Sequence, residues 1–174
     1  MIKTARTTVR LITEDDWRQV RRILIDFSRS EYARYDRPSD TDEGVVKARV
    51  AKWAAANTSG TEHMFYAVCL DETMIGYCAF NKRDSGYELG YCFDSAYQGR
   101  GYAKESISAL ISHFCQAGIK KYLAGTAINN IPSVSLLNSL GFKLTGTEKV
   151  SFYKDADGTD IVFEGGIFEL TCEG

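Results

Sequence analysis

Apolar residues recur along this chain with two different periods. Trp17, Val20, Leu24 and Phe27 stand three or four apart, the spacing of one helix face, and predict a first helix after Thr13. Thr13 suits its N-cap, with Asp16 three residues on as a capping-box partner. A second helix is predicted over 41–57, with Val46, Val50 and Trp53 on one face, and Ser59-Gly60 breaks it. The period then shortens. Met64 to Leu70, Met74 to Lys82 and Tyr87 to Phe93 read as three strands, joined by turns short enough for antiparallel hairpins. Helical spacing returns over 103–117 through Ile107, Leu110, Ile111 and Phe114, and Gly118 stops it.

Another strand is predicted over 121–128. A helix-containing crossover joins it to Tyr87–Phe93, so the two should be parallel. Pro132 opens a short helix that Gly141 closes, and a hairpin over 147–154 and 161–170 turns at Asp155-Ala156-Asp157-Gly158. Thr8 to Ile12 supplies a first strand, and 28–40 reads as a polar, aromatic loop. The order is β-α-α-β-β-β-α-β-α-β-β. This is an α/β (α+β) arrangement, a mixed but mostly antiparallel sheet of about seven strands with helices on both faces. No repeat, low-complexity tract or linker divides it, so residues 1–174 are expected to form a single domain.

The stretch with most chemistry is the junction of the third strand and third helix: Gly90-Tyr91-Cys92-Phe93-Asp94-Ser95-Ala96-Tyr97-Gln98-Gly99-Arg100-Gly101-Tyr102-Ala103-Lys104. A strand runs into a turn with two glycines, and a helix follows at once. The first amides of a helix lack intrahelical partners, and the helix dipole adds positive character there. Glycine lets a phosphate approach the backbone, so a phosphate-bearing ligand is expected. A Walker A loop is excluded, because no Ser or Thr follows Lys104. A dinucleotide fingerprint fails as well: Lys104 holds the third glycine position, and the next strand ends in Asn129-Asn130 without an acid.

The turn resembles the acetyl-CoA signature of the GCN5-related N-acetyltransferase (GNAT) superfamily, Gln/Arg-x-x-Gly-x-Gly/Ala, with Gln98, Gly101 and Ala103 in the fixed places. Gly90-Tyr91, Asp94 and Tyr97 are similar to the ribosomal-protein-alanine/serine N-acetyltransferase (RimJ/RimL-like) subgroup. Asn130-Ile131-Pro132-Ser133 followed by Leu140-Gly141-Phe142 resembles a second block of that subgroup. The resemblance implies a fold in which the two parallel strands splay where they end and hold the pantetheine arm of acetyl-CoA. It also implies backbone contacts from Tyr91, Cys92 and Phe93, and a pyrophosphate cradle of amides from Gly99 through Tyr102 and Ala103 to Lys104. Gln98 belongs to the same loop, Arg100 and Lys104 add charge, and Asn130 and Ser133 stand beside the pantetheine.

Acetyl transfer to an amine needs a proton acceptor, stabilisation of the oxyanion and a proton for the departing thiolate. The family's oxyanion donor is a backbone N–H at the end of the Tyr91–Phe93 strand. Glu88 occupies a common place for its general base, on the face opposite Tyr87 and Leu89. Partly desolvated there, it suits proton abstraction through water; a water chain alone is the other solution. Many members carry a tyrosine as general acid seven residues after the asparagine, where this chain has Leu137. Ser133 is the subgroup's substitute, with Tyr153 a weaker candidate. Substrate selection is expected from the segment 30–36, where Tyr32 and Tyr35 sit among acids suited to a cationic amine, and from the last hairpin.

Composition narrows the partners. With 174 residues, 44% hydrophobic and 25% charged, the chain reads as globular, and a net charge of -2 gives no footprint for nucleic acid. Met1 to Arg6 holds no apolar run, so neither a signal peptide nor a membrane span is expected. The five cysteines form no Cys-x-x-Cys, and they read as free thiols in a reducing cytoplasm. His63 and His113 lie far apart in sequence, so no metal site is expected. The expected activity is acetyl-CoA-dependent N-acetylation by a monomer or homodimer. The acceptor is a protein N-terminus of the ribosomal-protein type or a small amine. A non-catalytic acetyl-CoA sensor is the reading that Leu137 leaves open.

Overall fold

The computed structural model describes residues 1–172. Its elements are β1 (Ile2–Lys3), β2 (Thr8–Leu11), α1 (Trp17–Ser28), α2 (Glu43–Ser59), β3 (His63–Leu70), β4 (Thr73–Arg83), β5 (Gly86–Phe93), α3 (Tyr102–Gln116), β6 (Lys121–Ala127), α4 (Ile131–Ser139), β7 (Lys143–Lys154) and β8 (Asp160–Thr171). The strands form one eight-stranded sheet in the order β1-β2-β3-β4-β5-β6-β8-β7. Every neighbouring pair is antiparallel except β5 and β6, which run parallel as the crossover requires. The strand not anticipated from the sequence is β1, two residues long, which pairs with β2 through Ile2–Val9 and Lys3–Thr8. Two residues are too few for a periodic signal. β7 also begins four residues before the expected hairpin, at Lys143.

The sheet separates two cores. On one side α3 and α4 pack over β5 and β6, burying Leu89, Phe93, Ile107, Leu110, Phe114, Tyr122 and Leu137. On the other, α1 and α2 pack over β2 to β4 through Ile12, Trp17, Val20, Ile23, Leu24, Val46, Val50 and Met74. Each fully buried aliphatic side chain contributes about 1.5–3 kcal/mol relative to exposure, so these stripes fix which way each helix faces. Ile23, not Phe27, completes the buried face of α1, and Phe27 is only half-buried at its last turn. The capping box at Thr13 forms: Asp16 accepts the Thr13 N–H at 2.8 Å and its hydroxyl at 3.2 Å.

Between α1 and α2 the expected loop contains a short 3-10 turn, Glu31–Tyr35, opened by Ser30, whose hydroxyl accepts the Tyr32 N–H at 3.1 Å. Not all the cysteines are free as expected. Cys115 at the end of α3 is disulfide-bonded to Cys172 just after β8, a contact across 57 residues that sequence spacing could not show. Cys69, Cys78 and Cys92 are free. Among the described residues, no helix is long and apolar enough to cross a membrane.

Candidate active site

Strand β5 is hydrogen-bonded to β4 along its whole length, from Arg83–Gly86 to Gly76–Phe93. On its other edge it pairs with β6 at only two positions, Tyr87–Tyr122 and Glu88–Leu123. From there β6 is committed to β8, pairing from Lys121–Thr171 to Ala127–Gly165. The two parallel strands therefore part beyond Glu88, and the edge carrying Tyr91, Cys92 and Phe93 faces a gap. An unpaired strand edge offers a row of N–H and C=O groups to whatever enters beside it.

The gap opens onto the glycine turn. Asp94 receives the Ala96 N–H at 2.9 Å and shapes a short 3-10 turn, Ser95–Tyr97. Gln98 folds back and donates its Nε2 to the Phe93 carbonyl at 2.8 Å, so its side chain braces the loop. Gly99 and Gly101 take φ of 72° and 82°, the left-handed region that costs other residues about 1–2 kcal/mol. Helix α3 then starts at Tyr102 with no side-chain cap. Among the described residues, none of the amides from Gly99 to Lys104 has a backbone or side-chain acceptor. Arg100 and Lys104 are exposed beside them. This cradle of free donors with two nearby cations fits a diphosphate in both charge and hydrogen-bonding sense.

The cradle is braced from outside. Arg6 donates to the Arg100 carbonyl at 2.9 Å, pairs with Glu105 at 2.6 Å and lies over the Tyr102 ring at 4.6 Å. Thr4 donates to Glu105 at 2.6 Å, and this bond, with those from Arg6, holds the Glu105 carboxyl below its ordinary range. On the far side, Asp26 of α1 accepts both the N–H and the hydroxyl of Ser95 at 2.8 Å, and Arg22 pairs with Asp94.

The second motif closes on the first. Asn130 caps α4, its Oδ1 accepting the Ser133 N–H at 3.3 Å. That bond positions Ser133 so that its Oγ lies 2.7 Å from the Tyr91 hydroxyl. Burial pushes the Tyr91 phenol up to about 12, only partly offset by the bond to Ser133, so both groups hold their protons at neutral pH. Leu137 is fully buried in the core under α4. The sequence pointed to Ser133 but not to the Tyr91 side chain as its partner, since that contact spans 42 residues.

On the opposite face of the sheet stand Glu88, Gly90 and Cys92. Glu88 lies at the last paired position before the strands part. It accepts from Arg83 Nε at 2.7 Å with its side chain 41% exposed, so it is a half-buried carboxylate already paired with a cation. Asp36 counts in the sequence among the acids of the substrate segment 30–36, with nothing there to mark it as a proton acceptor. It ends the 3-10 turn, with its N–H bonded to the Ala33 carbonyl at 3.1 Å. The residue is exposed at its surface, yet burial of its carboxyl pushes the pKa above the ordinary range, against the lowering effect of the Arg37 N–H and charge. Its charge reaches the Tyr77 phenol and the Cys92 thiol on the neighbouring strands. Asp26 and Asp94 also act on Cys92, though Asp94 is paired with Arg22 and Asp26 is bonded to Ser95.

The expected substrate segment and the last hairpin do meet. Tyr35 packs edge-on against Phe163 at 5.3 Å, and the Tyr153 hydroxyl donates to the Ala33 carbonyl at 3.4 Å. Tyr32 is half-buried on the same turn, and Tyr153 serves there as a strut between loop and hairpin.

This gapped sheet with a free-amide turn is the arrangement that the resemblance to N-acetyltransferases implied. The family described as Acetyltransferase (GNAT) domain matches residues 6–143, and the chain belongs to it. It is 27% identical over 150 residues to the uncharacterized N-acetyltransferase YnaD of Bacillus subtilis, covering 83% of this chain and 84% of that one. It is 28% identical over 96 residues to the ribosomal-protein-serine acetyltransferase of Escherichia coli, covering 52% of this chain and 54% of the other. The ribosomal-protein-S5-alanine acetyltransferase of Vibrio fischeri has the same fold, with a TM-score of 0.80 at 18% identity over 98% of this chain and 95% of its own.

Proposed function

We propose that the protein transfers an acetyl group from acetyl-CoA to a primary amine presented by a protein N-terminus of the ribosomal-protein type, in the cytoplasm. The observation that carries the reading is the run of free amides from Gly99 to Lys104 at the open end of the β5–β6 gap. A diphosphate satisfies those donors, and the unpaired edge at Tyr91, Cys92 and Phe93 suits the amide-bearing arm that follows it. Acetyl-CoA supplies an activated acyl group there.

This chain's own groups then have distinct tasks. A free N–H at the gap end of β5 is placed to stabilise developing negative charge on an acyl oxygen. Asp36, whose carboxyl holds a proton more tightly than an ordinary aspartate, accepts the proton of the incoming ammonium, with Glu88 as the second carboxylate on that face. Asp36, whose charge reaches the Cys92 thiol, favours a cation on that side. Ser133 Oγ offers a proton towards the gap, and the Tyr91 hydroxyl can replace it along their shared hydrogen bond. This pair takes the place of the tyrosine that Leu137 lacks. The named relatives that act on ribosomal proteins support a protein acceptor.

The test is release of CoA thiol from acetyl-CoA against N-terminal peptides, polyamines and other small amines. Turnover confined to peptides is expected. Turnover confined to small amines, or acetyl-CoA binding with no turnover, would overturn the reading.

A further inference from the structure

Helix α1 carries Arg18, Arg21 and Arg22, and Arg29 follows at its C-cap. Helical spacing gathers all four on one side, where they line an open cleft of about 430 Å³ with Asp26 and Asp94. The acids are already engaged: Asp94 by Arg22, and Asp26 by Ser95. Arg21 gives its Nε to the Thr41 carbonyl at 2.7 Å, and Arg18 lies over the Trp17 ring at 4.4 Å. Among the described residues, Arg18, Arg21 and Arg29 have no carboxylate within ion-pairing distance.

Like charges three and four apart oppose helix formation, so this cluster burdens α1 instead of bracing it. Nor does it reflect a generally basic surface, because the chain carries a net charge of -2. Its location matters more. Asp94, which lines the cleft, opens the turn that leads into the amide cradle, and Arg29 immediately precedes the segment that ends at Asp36. At about 1.5 Å per residue, Arg18 to Arg29 spans about 16 Å, the length of about five extended residues.

We propose that this cleft binds carboxylates of the acceptor, so that the enzyme prefers N-termini followed within the first few residues by Asp or Glu. The inference rests on the protein-acceptor reading above. The amine enters beside Asp36 near Cys92, and the acidic residues behind it lie along the arginines of α1. Guanidinium groups suit carboxylates in bidentate geometry, and unpaired ones are available here.

The experiment compares peptides that share a first residue and differ in residues two to five: acidic, neutral or basic. The wild-type protein should favour acidic over neutral peptides by about 10-fold in kcat/KM, a preference that shrinks with added salt. In R18Q/R29Q that preference should fall to within about 2-fold through the peptide KM, with kcat and the acetyl-CoA KM unchanged. Arg29→Glu should move the preference towards basic peptides, and circular dichroism checks that each variant is folded. Peptide turnover with no acidic preference would overturn the proposal. So would variants that raise the acetyl-CoA KM and leave the peptide KM alone, since the cleft would then serve the phosphates of CoA. If no peptide is turned over at all, the protein-acceptor reading falls first and takes this one with it.

Discussion

Leu137 sits where a proton-donating tyrosine would project, and it is sealed in the core. In the proposed reaction the proton comes from another element, and the structure brings the Tyr91 and Ser133 hydroxyls within 2.7 Å of each other across the two motifs. Ser133→Ala should lower kcat by about 100-fold with little change in acetyl-CoA affinity, and Tyr91→Phe by about 10-fold, the scale of losing a positioned proton donor. Steady-state kinetics with both substrates varied checks this; an unchanged kcat in both variants would remove the pair from the chemistry. Asp36 invites a different test. Burial raises its carboxyl, so its contribution to stability is full below the ordinary carboxylate range and is lost as pH rises through its folded value. At pH 7 the ionised group is therefore a cost, and Asp36→Asn should melt no lower than wild type. Its kcat/KM should nevertheless fall by about 10-fold, and the acid limb of the pH–rate profile should flatten. Glu88→Gln, which removes the ion-pair partner of Arg83, should leave that limb in place. A flattened limb in Glu88→Gln and not in Asp36→Asn would return the base to Glu88. Ser133 and Glu88 stood out in the sequence because motif spacing marks them; Asp36 did not, because the strands it faces lie far along the chain.

At the scale of elements, the cradle depends on backbone shape more than on side chains. Gly101 holds φ at 82°, and a Cβ there would stand 3.3 Å from Arg6 Nη2, the guanidinium that braces Arg100 and Glu105. Gly101→Ala should strain the turn by about 1–2 kcal/mol. The strain falls where amides must converge, so acetyl-CoA affinity should drop by about 10-fold while the melting temperature moves by only a few degrees. Calorimetric titration and thermal melts separate the two effects; an unaltered affinity would show that the turn is not the ligand's seat. This junction was legible in the sequence because strand, glycine turn and helix are contiguous and each has a local signature. The parallel pairing of β5 and β6 followed from the crossover rule. The parting of those strands after Glu88 did not follow from residues alone, since it depends on β6 following β8 on its far edge while β5 follows β4. The resemblance, not the periodicity, supplied that expectation. β1 and the Cys115–Cys172 link escaped notice for a related reason: two-residue strands and distant cysteines leave no periodic trace.

At the scale of the whole molecule, the two cores are tied together through the sheet, and the link at its α1 edge is ionic. Asp16 is buried at the start of α1, accepting from Arg10 on β2 at 2.7 and 2.8 Å and from the Thr13 N–H. Burial alone would raise its carboxyl, but the bonds from Arg10 and Thr13 outweigh that and hold it below the ordinary range. A depressed folded pKa means that the stabilisation is present above the unfolded carboxylate value and is lost as pH falls through the folded one. The pair joins strand to helix, and beneath it lie Ile12, Trp17 and Val20, so its protonation should loosen the whole α1–α2 layer. That layer carries both the arginine cleft and Asp36. Asp16→Asn should cost about 2–3 kcal/mol at pH 7, because it leaves the Arg10 guanidinium partly buried without its counter-charge. The same variant should lose little further stability as pH falls below 4, where the wild-type protein loses most. Urea unfolding at neutral and acid pH measures both arms. If wild type and variant lose stability in parallel on acidification, another carboxylate governs acid unfolding and the Asp16–Arg10 tie is not its trigger.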